Sequence, residues 1–128
     1  IPVYAKTGDA GLDLVATEII NKDAFQITYG TGLAMEIPAG FVGLVFPRSS
    51  IRKYDLSLTN CVGVIDSGYR GEIQATFRRH KGVASVDYEV GDKIAQMIIV
   101  PYPSIEFIET DELSQTERGT GGFGSTGS

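Results

Sequence analysis

A single cysteine, Cys61, leaves no partner for an intrachain disulfide and fits a reducing compartment. No apolar run reaches the ~18 residues a membrane-spanning helix needs, and the N-terminus lacks a basic-then-apolar secretory pattern. Basic residues are outnumbered 11 to 16, and the resulting net charge of −5 speaks against the broad basic face of a nucleic-acid binder. That deficit still permits a small anion held by a few well-placed arginines. His80 is the only histidine and has no Cys or second His beside it to form a metal set. No GxxxxGK[ST] occurs, so a P-loop is excluded. The first residue is Ile1 rather than Met, which fits a trimmed or processed chain.

What the chain does contain is the material of one globular domain. Its 128 residues, 42% hydrophobic and 21% charged, suffice for a core without disulfides or metals. Sixteen glycines, set in turns between short β-prone runs, predict an all-β fold of the sandwich, jelly-roll or barrel kind. Strands are expected over 2–6, 10–16, 25–29, 33–37, 41–46, 83–90, 93–100 and 105–108. One helical turn is expected over 51–54, with Ser49 or Ser50 as its N-cap. The basic run 78–82 reads as a solvated turn.

The stretch 60–73, NCVGVIDSGYRGEI, draws the most attention. Strands 61–66 and 69–77 around Ser67-Gly68 predict a two-residue hairpin, with Gly68 supplying a positive φ. Asp66 would then pair with Tyr69, Ile65 with Arg70, Val64 with Gly71 and Val62 with Ile73. Val62, Val64, Asp66, Tyr69, Gly71 and Ile73 would share one face, apolar at its base, with an acid and a phenol at its tip. The absent side chain at Gly71 would leave a slot for something flat. On these residues alone, Asp66 could equally cap a turn.

Other positions ask for partners. Asp13 sits mid-strand, where a carboxylate usually faces water. Arg48, Ser49 and Ser50 could converge on an oxyanion, or the serines could serve capping alone. Gln96, inside the apolar KIAQMIIV, must be satisfied internally or be aimed at a ligand. From residue 109 the chain turns polar and acidic, and RGTGGFGSTGS at 118–128 has no face to bury. Gly119, Gly121 and Gly124 spell GxGxxG, but no strand and helix flank them as a dinucleotide site requires. The segment reads as a linker, or as a lid that orders on a ligand.

Five segments in order, AGLDL, PRSS, NCVGVIDSGYRG, GDKIAQ and RGTGGFGSTG, span nearly the whole chain. Together they resemble the trimeric dUTP pyrophosphatases (dUTPases). Departures are few: Ser50 stands where many members have Gly, Gly68 where some have Asp, and Leu12 where others carry an aromatic. The resemblance implies a jelly-roll-like distorted β-barrel with one short helix over 1–117, and a flexible Gly-rich lid over 118–128. It implies a homotrimer whose three sites each draw on all three chains, in the cytoplasm, or in the host cytoplasm or nucleus if the source is viral. The implied reaction is Mg2+-dependent hydrolysis of dUTP to dUMP and pyrophosphate, which limits uracil in DNA and feeds thymidylate synthesis. Neither nucleic acid nor membrane is an implied partner.

Residue roles carry over on the same footing. Asp66 resembles the base that deprotonates the water attacking the α-phosphorus, from hydrogen-bond reach. Tyr69 resembles the ring beneath the deoxyribose that rejects a 2′-hydroxyl, with Gly71 giving it room. Asn60, with the hairpin backbone at Gly63, resembles the uracil reader. Arg48, Ser49, Ser50 and Gln96 resemble phosphate contacts, and Asp13 the carboxylate that holds Mg2+ through its waters. Arg118, Gly124, Ser125 and Thr126 resemble the γ-phosphate clamp, with Phe123 stacking on uracil. Two alternatives are a dCTP deaminase of the same fold, and a non-catalytic trimer that binds regulatory partners.

Overall fold

Residues 1–124 are described by a computed structural model. Among the described residues, eight strands form two four-stranded sheets in which every pairing is antiparallel. They are β1 (Leu12–Val15), β2 (Glu18–Lys22), β3 (Gln26–Gly30), β4 (Phe41–Phe46), β5 (Leu56–Leu58), β6 (Gly63–Ile65), β7 (Gln74–Arg79) and β8 (Lys93–Pro101). One sheet runs β1-β8-β4-β6 and the other β2-β3-β7-β5. From β3 onward each successive strand crosses to the opposite sheet, which gives the jelly-roll-like, all-β architecture expected.

Alternation explains the core. In β3, Ile27 and Tyr29 point inward and are fully buried, and in β7 Ala75 and Phe77 do the same. From the facing sheet come Leu14, Val45, Ile94, Ala95 and Met97. An aromatic group sits at the centre, with Tyr29 edge-on to Phe77 at 5.8 Å and Phe77 edge-on to Tyr88 at 5.5 Å.

Several local expectations fail for identifiable reasons. Residues 2–6 and 33–37 form no strand; the former ends in a turn closed by Lys6 N–H to Asp9 Oδ2 at 3.1 Å. Residues 83–90 hold a 3-10 turn, Gly82–Ala84, and then an irregular stretch clamped by Asp55, whose Oδ2 accepts from Val86 N–H at 2.7 Å. That backbone bond first, and Lys81 second, hold the Asp55 carboxyl below its usual pKa range. The turn expected at 51–54 is a 3-10 helix over Ser49–Lys53; its N-cap is Arg48, and no side chain caps it. Both serines lie inside the helix. With Gly82–Ala84, the described residues hold two short helices rather than one. Strand β2 was not anticipated, because all five of its residues are exposed and carry no periodicity to read.

The basic run 78–82 is not simply solvated. Arg79 is buried, donating to both oxygens of Asp87 at 3.0 Å and to the Asp23 carbonyl at 2.7 Å. A planar five-donor guanidinium can be satisfied in this way inside a protein.

After β8 the chain leaves its own core. Every residue from 102 to 120 is exposed, including Ile105, Phe107, Ile108 and Leu113, and the strand expected at 105–108 is absent. The chain exposes 9284 Å². A compact monomer of 13.7 kDa would expose about 6,600 Å². Among the described residues, no helix is long and apolar enough to cross a membrane.

Candidate functional site

The hairpin expected at 61–77 does not form. A strand has two edges, and both edges of β7 are taken, one by β3 and the other by β5. Strand β6 therefore pairs with β4 in the opposite sheet, Gly43 facing Ile65 and Val45 facing Gly63. Residues 66–73 become a crossover between sheets. Only its turn survives from the expected hairpin, with Tyr69 N–H bonded to the Asp66 carbonyl at 3.1 Å. Gly68 is not at positive φ, since a turn outside a two-residue hairpin does not demand one. The shared face dissolves as well: Ile73 goes to the core, while Val64 is exposed.

The slot at Gly71 is already filled. A Cβ there would collide with the ring of Tyr69, whose hydroxyl donates to the Glu72 carbonyl at 2.8 Å. Gly71 makes room for Tyr69, not for a ligand. Two adjoining hollows of about 220 and 230 Å³ share Val64, Ile65 and Gln74, and so form one trough along β6. Asn60 and Gly63 line one end, and Asp66 and Tyr69 the other. Asn60 is presented by a tight loop in which Cys61 holds a φ of 61° and Val62 N–H bonds to the Asn60 carbonyl at 2.6 Å. Among the described residues, the exposed Asp66 carboxylate has no hydrogen-bond or ion-pair partner.

A second cleft of about 330 Å³ gathers Asp13, Arg48, Ser49 and Gln96 at one end of the β1-β8-β4 sheet. The register explains their meeting, because Asp13 and Phe46 both face Gln96 and Arg48 follows two residues after Phe46. Arg48 Nε donates to Asp13 Oδ1 at 2.9 Å, and its Nη1 donates to the Ser50 hydroxyl at 3.2 Å. Lys93 stands 3.6 Å from the other Asp13 oxygen. Asp13 therefore faces two cations as well as water. Gln96 donates to the Pro47 carbonyl at 3.1 Å, which satisfies half its amide, and it still lines the cleft. A Cβ at Gly11 would overlap the Gln96 side-chain oxygen.

The predicted residues thus fall into two groups that one chain does not unite. In the sheet order β1-β8-β4-β6, Ile65 lies three strands across from Asp13 and three residues along. On a flat sheet that is about 17 Å, and Asp66 lies one residue further away. In the tail, Arg118 donates to the Gly121 carbonyl at 2.6 Å, Phe123 is wholly exposed at a φ of 53°, and Gly124 has a φ of 77°. None of these residues lines either cleft. Ser125 and Thr126 lie outside the described residues.

Lys93 and Gly11 were not singled out from sequence. Only the pairing of β1 with β8 reveals the first, and only the path of the Gln96 side chain reveals the second. Among the described residues no three His, Cys, Asp or Glu side chains group to hold a metal ion. Two carboxylates, Asp9 and Asp13, with an amide oxygen beside them suit a hard cation that keeps its waters and borrows other oxygens, as Mg2+ does.

The sequence model of the dUTPase family matches residues 1–127. A deoxyuridine 5′-triphosphate nucleotidohydrolase of Nocardia farcinica is 40% identical over 99% of this chain and 78% of its own length. That of Nautilia profundicola is 43% identical over 99% of this chain and 90% of its own. Among solved structures, a Staphylococcus bacteriophage 80alpha dUTPase with dUpNHpp superposes with a TM-score of 0.85 at 27% identity, covering 98% of this chain and 90% of that one.

The seat of Tyr69 can be tested directly. Gly71→Ala should expel the ring and break its bond to the Glu72 carbonyl while the protein still folds, because Gly71 is only half-buried. A crystal structure of the variant with Tyr69 in its original position would contradict this account of Gly71.

Proposed function

The chain belongs to the dUTPase family, and on that premise we infer that it is a deoxyuridine triphosphate nucleotidohydrolase whose catalytic centre is built between copies of the chain. The observation that carries the second half of this reading is the separation of the two clefts. Asp66 and Tyr69 lie in the trough along β6, whereas Asp13, Arg48, Ser49 and Gln96 lie at the far corner of the same sheet. One nucleotide can engage both groups only if the trough of one copy meets the cleft of another. Two further features favour an assembly: the large excess of exposed surface, and the apolar residues of the 102–120 segment that have nothing of their own chain to cover them. The assembly proposed is a homotrimer.

The substrate fits the division. In the trough, Asn60 and the backbone around Gly63 read the uracil edge, where the donor and acceptor order differs from that of cytosine. Tyr69, held by the Glu72 carbonyl, lies flat beneath the sugar and leaves no space for a 2′-hydroxyl. The triphosphate reaches the second cleft, where Arg48, Ser49, Ser50 and Gln96 offer donors to its oxygens. Asp13 would hold Mg2+ through water, and the ion, when bound, supplies charge neutralisation of the phosphates.

Asp66 takes a proton from a water molecule as that water's oxygen bonds to the α-phosphorus. The bond from that phosphorus to the α,β-bridging oxygen breaks, and pyrophosphate leaves with the electron pair. A carboxylate without a competing partner is free to accept that proton. Ser49 and Arg48 face the charge developing on the leaving group. Residues 118–128 close over the site as a lid, Arg118, Gly124, Ser125 and Thr126 on the γ-phosphate and Phe123 on the base.

Incubation with dUTP and with dCTP, each with Mg2+, should yield dUMP and pyrophosphate from the first and no ammonia from the second. Ammonia from dCTP would replace this reading with deamination. Asp66→Asn should retain nucleotide binding and lose turnover by about 10²- to 10⁴-fold; wild-type turnover would remove Asp66 as the base.

Neither Asp66→Asn nor Arg48→Ala chains alone should be active, yet mixed assemblies should recover part of the activity. In these, an intact trough from one variant meets an intact cleft from the other. Mass spectrometry would establish mixing, and no recovery in proven hybrids would place each site within one chain.

Deleting residues 118–128 should abolish most turnover while the thermal midpoint moves by no more than about 2 °C, because the described residues of the segment, 118–124, contribute nothing to the core. A large fall in the midpoint would assign the segment to the fold instead of to a lid.

A further inference from the structure

Behind the phosphate cleft lies a phenol that the proposed chemistry does not use. Tyr88 is buried at 2% exposure, and its hydroxyl is the one buried side-chain polar atom without a hydrogen-bond partner among the described residues. Such a group calls for an explanation, because a buried donor left unpaired is costly.

Its surroundings supply one. The Tyr88 carbonyl accepts the Tyr29 hydroxyl at 2.6 Å, and its ring packs edge-on against Phe77. The residue is therefore fixed to the core from behind. In front, its ring lies 4.0 Å from that of Tyr54, which ends the 3-10 helix that begins after Arg48. Burial pushes the phenol's pKa up, and the Ser50 hydroxyl and Arg48 guanidinium are near enough to oppose that push. Ser50 Oγ accepts a hydrogen bond from Arg48 Nη1 and keeps a second lone pair to accept another. The phenol has a proton to give and the serine oxygen a lone pair to receive it.

We propose that Tyr88 is a positioning residue for the phosphate cleft, acting through the Ser50 hydroxyl to fix the Arg48 guanidinium in the orientation that meets the triphosphate. This inference rests on the reading of the cleft as the triphosphate site. The Asp13 carboxylate holds the guanidinium from one side at Nε, and Ser50 holds it from another at Nη1. Without the second hold, Arg48 would pivot about a single, partly exposed ion pair, a contact of modest strength. Backed by a tyrosine anchored in the core, Ser50 becomes a rigid support. Closure of the Tyr88–Ser50 bond on nucleotide binding would also satisfy the orphan hydroxyl.

The test uses the full-length protein and three substitutions. Tyr88→Phe keeps the ring contacts and removes only the hydroxyl. It should raise KM for dUTP about three- to tenfold, the effect of one hydrogen bond, with a smaller change in kcat and a thermal midpoint unchanged or raised. Ser50→Ala should do the same, and Ser50→Thr, which keeps the hydroxyl, should restore KM. In the Tyr88→Phe, Ser50→Ala double variant the two effects should not add. Calorimetric binding of inorganic triphosphate should weaken in parallel. That readout separates the two ideas: a wild-type protein that leaves dUTP intact would sink the functional reading, whereas triphosphate affinity addresses the support of Arg48. Wild-type triphosphate affinity in Tyr88→Phe, or additive effects in the double variant, would overturn the proposal.

Discussion

A β-strand has only two edges, and the occupation of both edges of β7 governs the rest of the molecule. Because β3 and β5 flank it, the strand before it cannot fold back as a hairpin and must join the opposite sheet. The crossover from Ile65 to Gln74 then spans the gap between sheets, with Ile73 plugging the core, its N–H on the Leu33 carbonyl and its own carbonyl accepting from Thr31. A segment pinned at that end can project Asp66 and Tyr69 only along the β6 edge. The same pairing that closes the fold therefore moves the proposed base away from the proposed phosphate contacts. Separation is a product of sheet topology, and an intermolecular site is the simplest way for one substrate to meet both groups.

Charge in the second cleft follows a different logic from the chain as a whole. The protein carries −5 overall, yet around Asp13 two cations face one carboxylate. Asp9 also lines the cleft, so two carboxylates and two cations nearly balance there, and Asp13 keeps Arg48 and Lys93 from repelling each other. These pairs are partly exposed and contribute little stability. Their effect is orientation, which is where the difference between a solvated acid and a functional one lies.

Much of this was legible in the sequence, and the failures share a cause. Segments with a buried face announced themselves: β3, β4 and β8 appear within a residue or two of where alternation and apolar density put them. The cleft residues were recognisable as a set because Asp13, Arg48 and Gln96 are each hard to explain by packing alone. What could not be read was partnership between strands. Residues 61–77 contain a good turn and two β-prone runs, and locally a hairpin is the natural outcome. Only the rivals β3 and β5, placed 16 to 48 residues earlier in the chain, forbid it. Strand β2 was invisible for the opposite reason, since backbone pairing holds it with no residue buried. Arg79 looked solvated because its partners, Asp87 and the Asp23 carbonyl, lie outside its own strand, 8 and 56 residues away.

The glycines change meaning once side chains are placed. A glycine near a site invites the thought of space for a ligand, yet at three positions the vacated space is taken by the protein itself. Gly71 receives the Tyr69 ring, Gly11 the Gln96 amide, and Gly63 brings Val45 and the Asn60 amide to 3.2 and 3.5 Å of where a Cβ would stand. In each case the side chain resting on the glycine is one that lines a cleft. A side chain seated in such a recess has fewer rotamers to lose when substrate binds, so part of the ordering cost of binding is met during folding. On the proposed reading, the motif glycines act on the nucleotide at one remove, by fixing side chains that line the clefts. The same holds for Tyr88 behind Ser50, with a buried ring in place of a vacancy. Preorganisation in this chain is distributed among residues that need never contact the substrate.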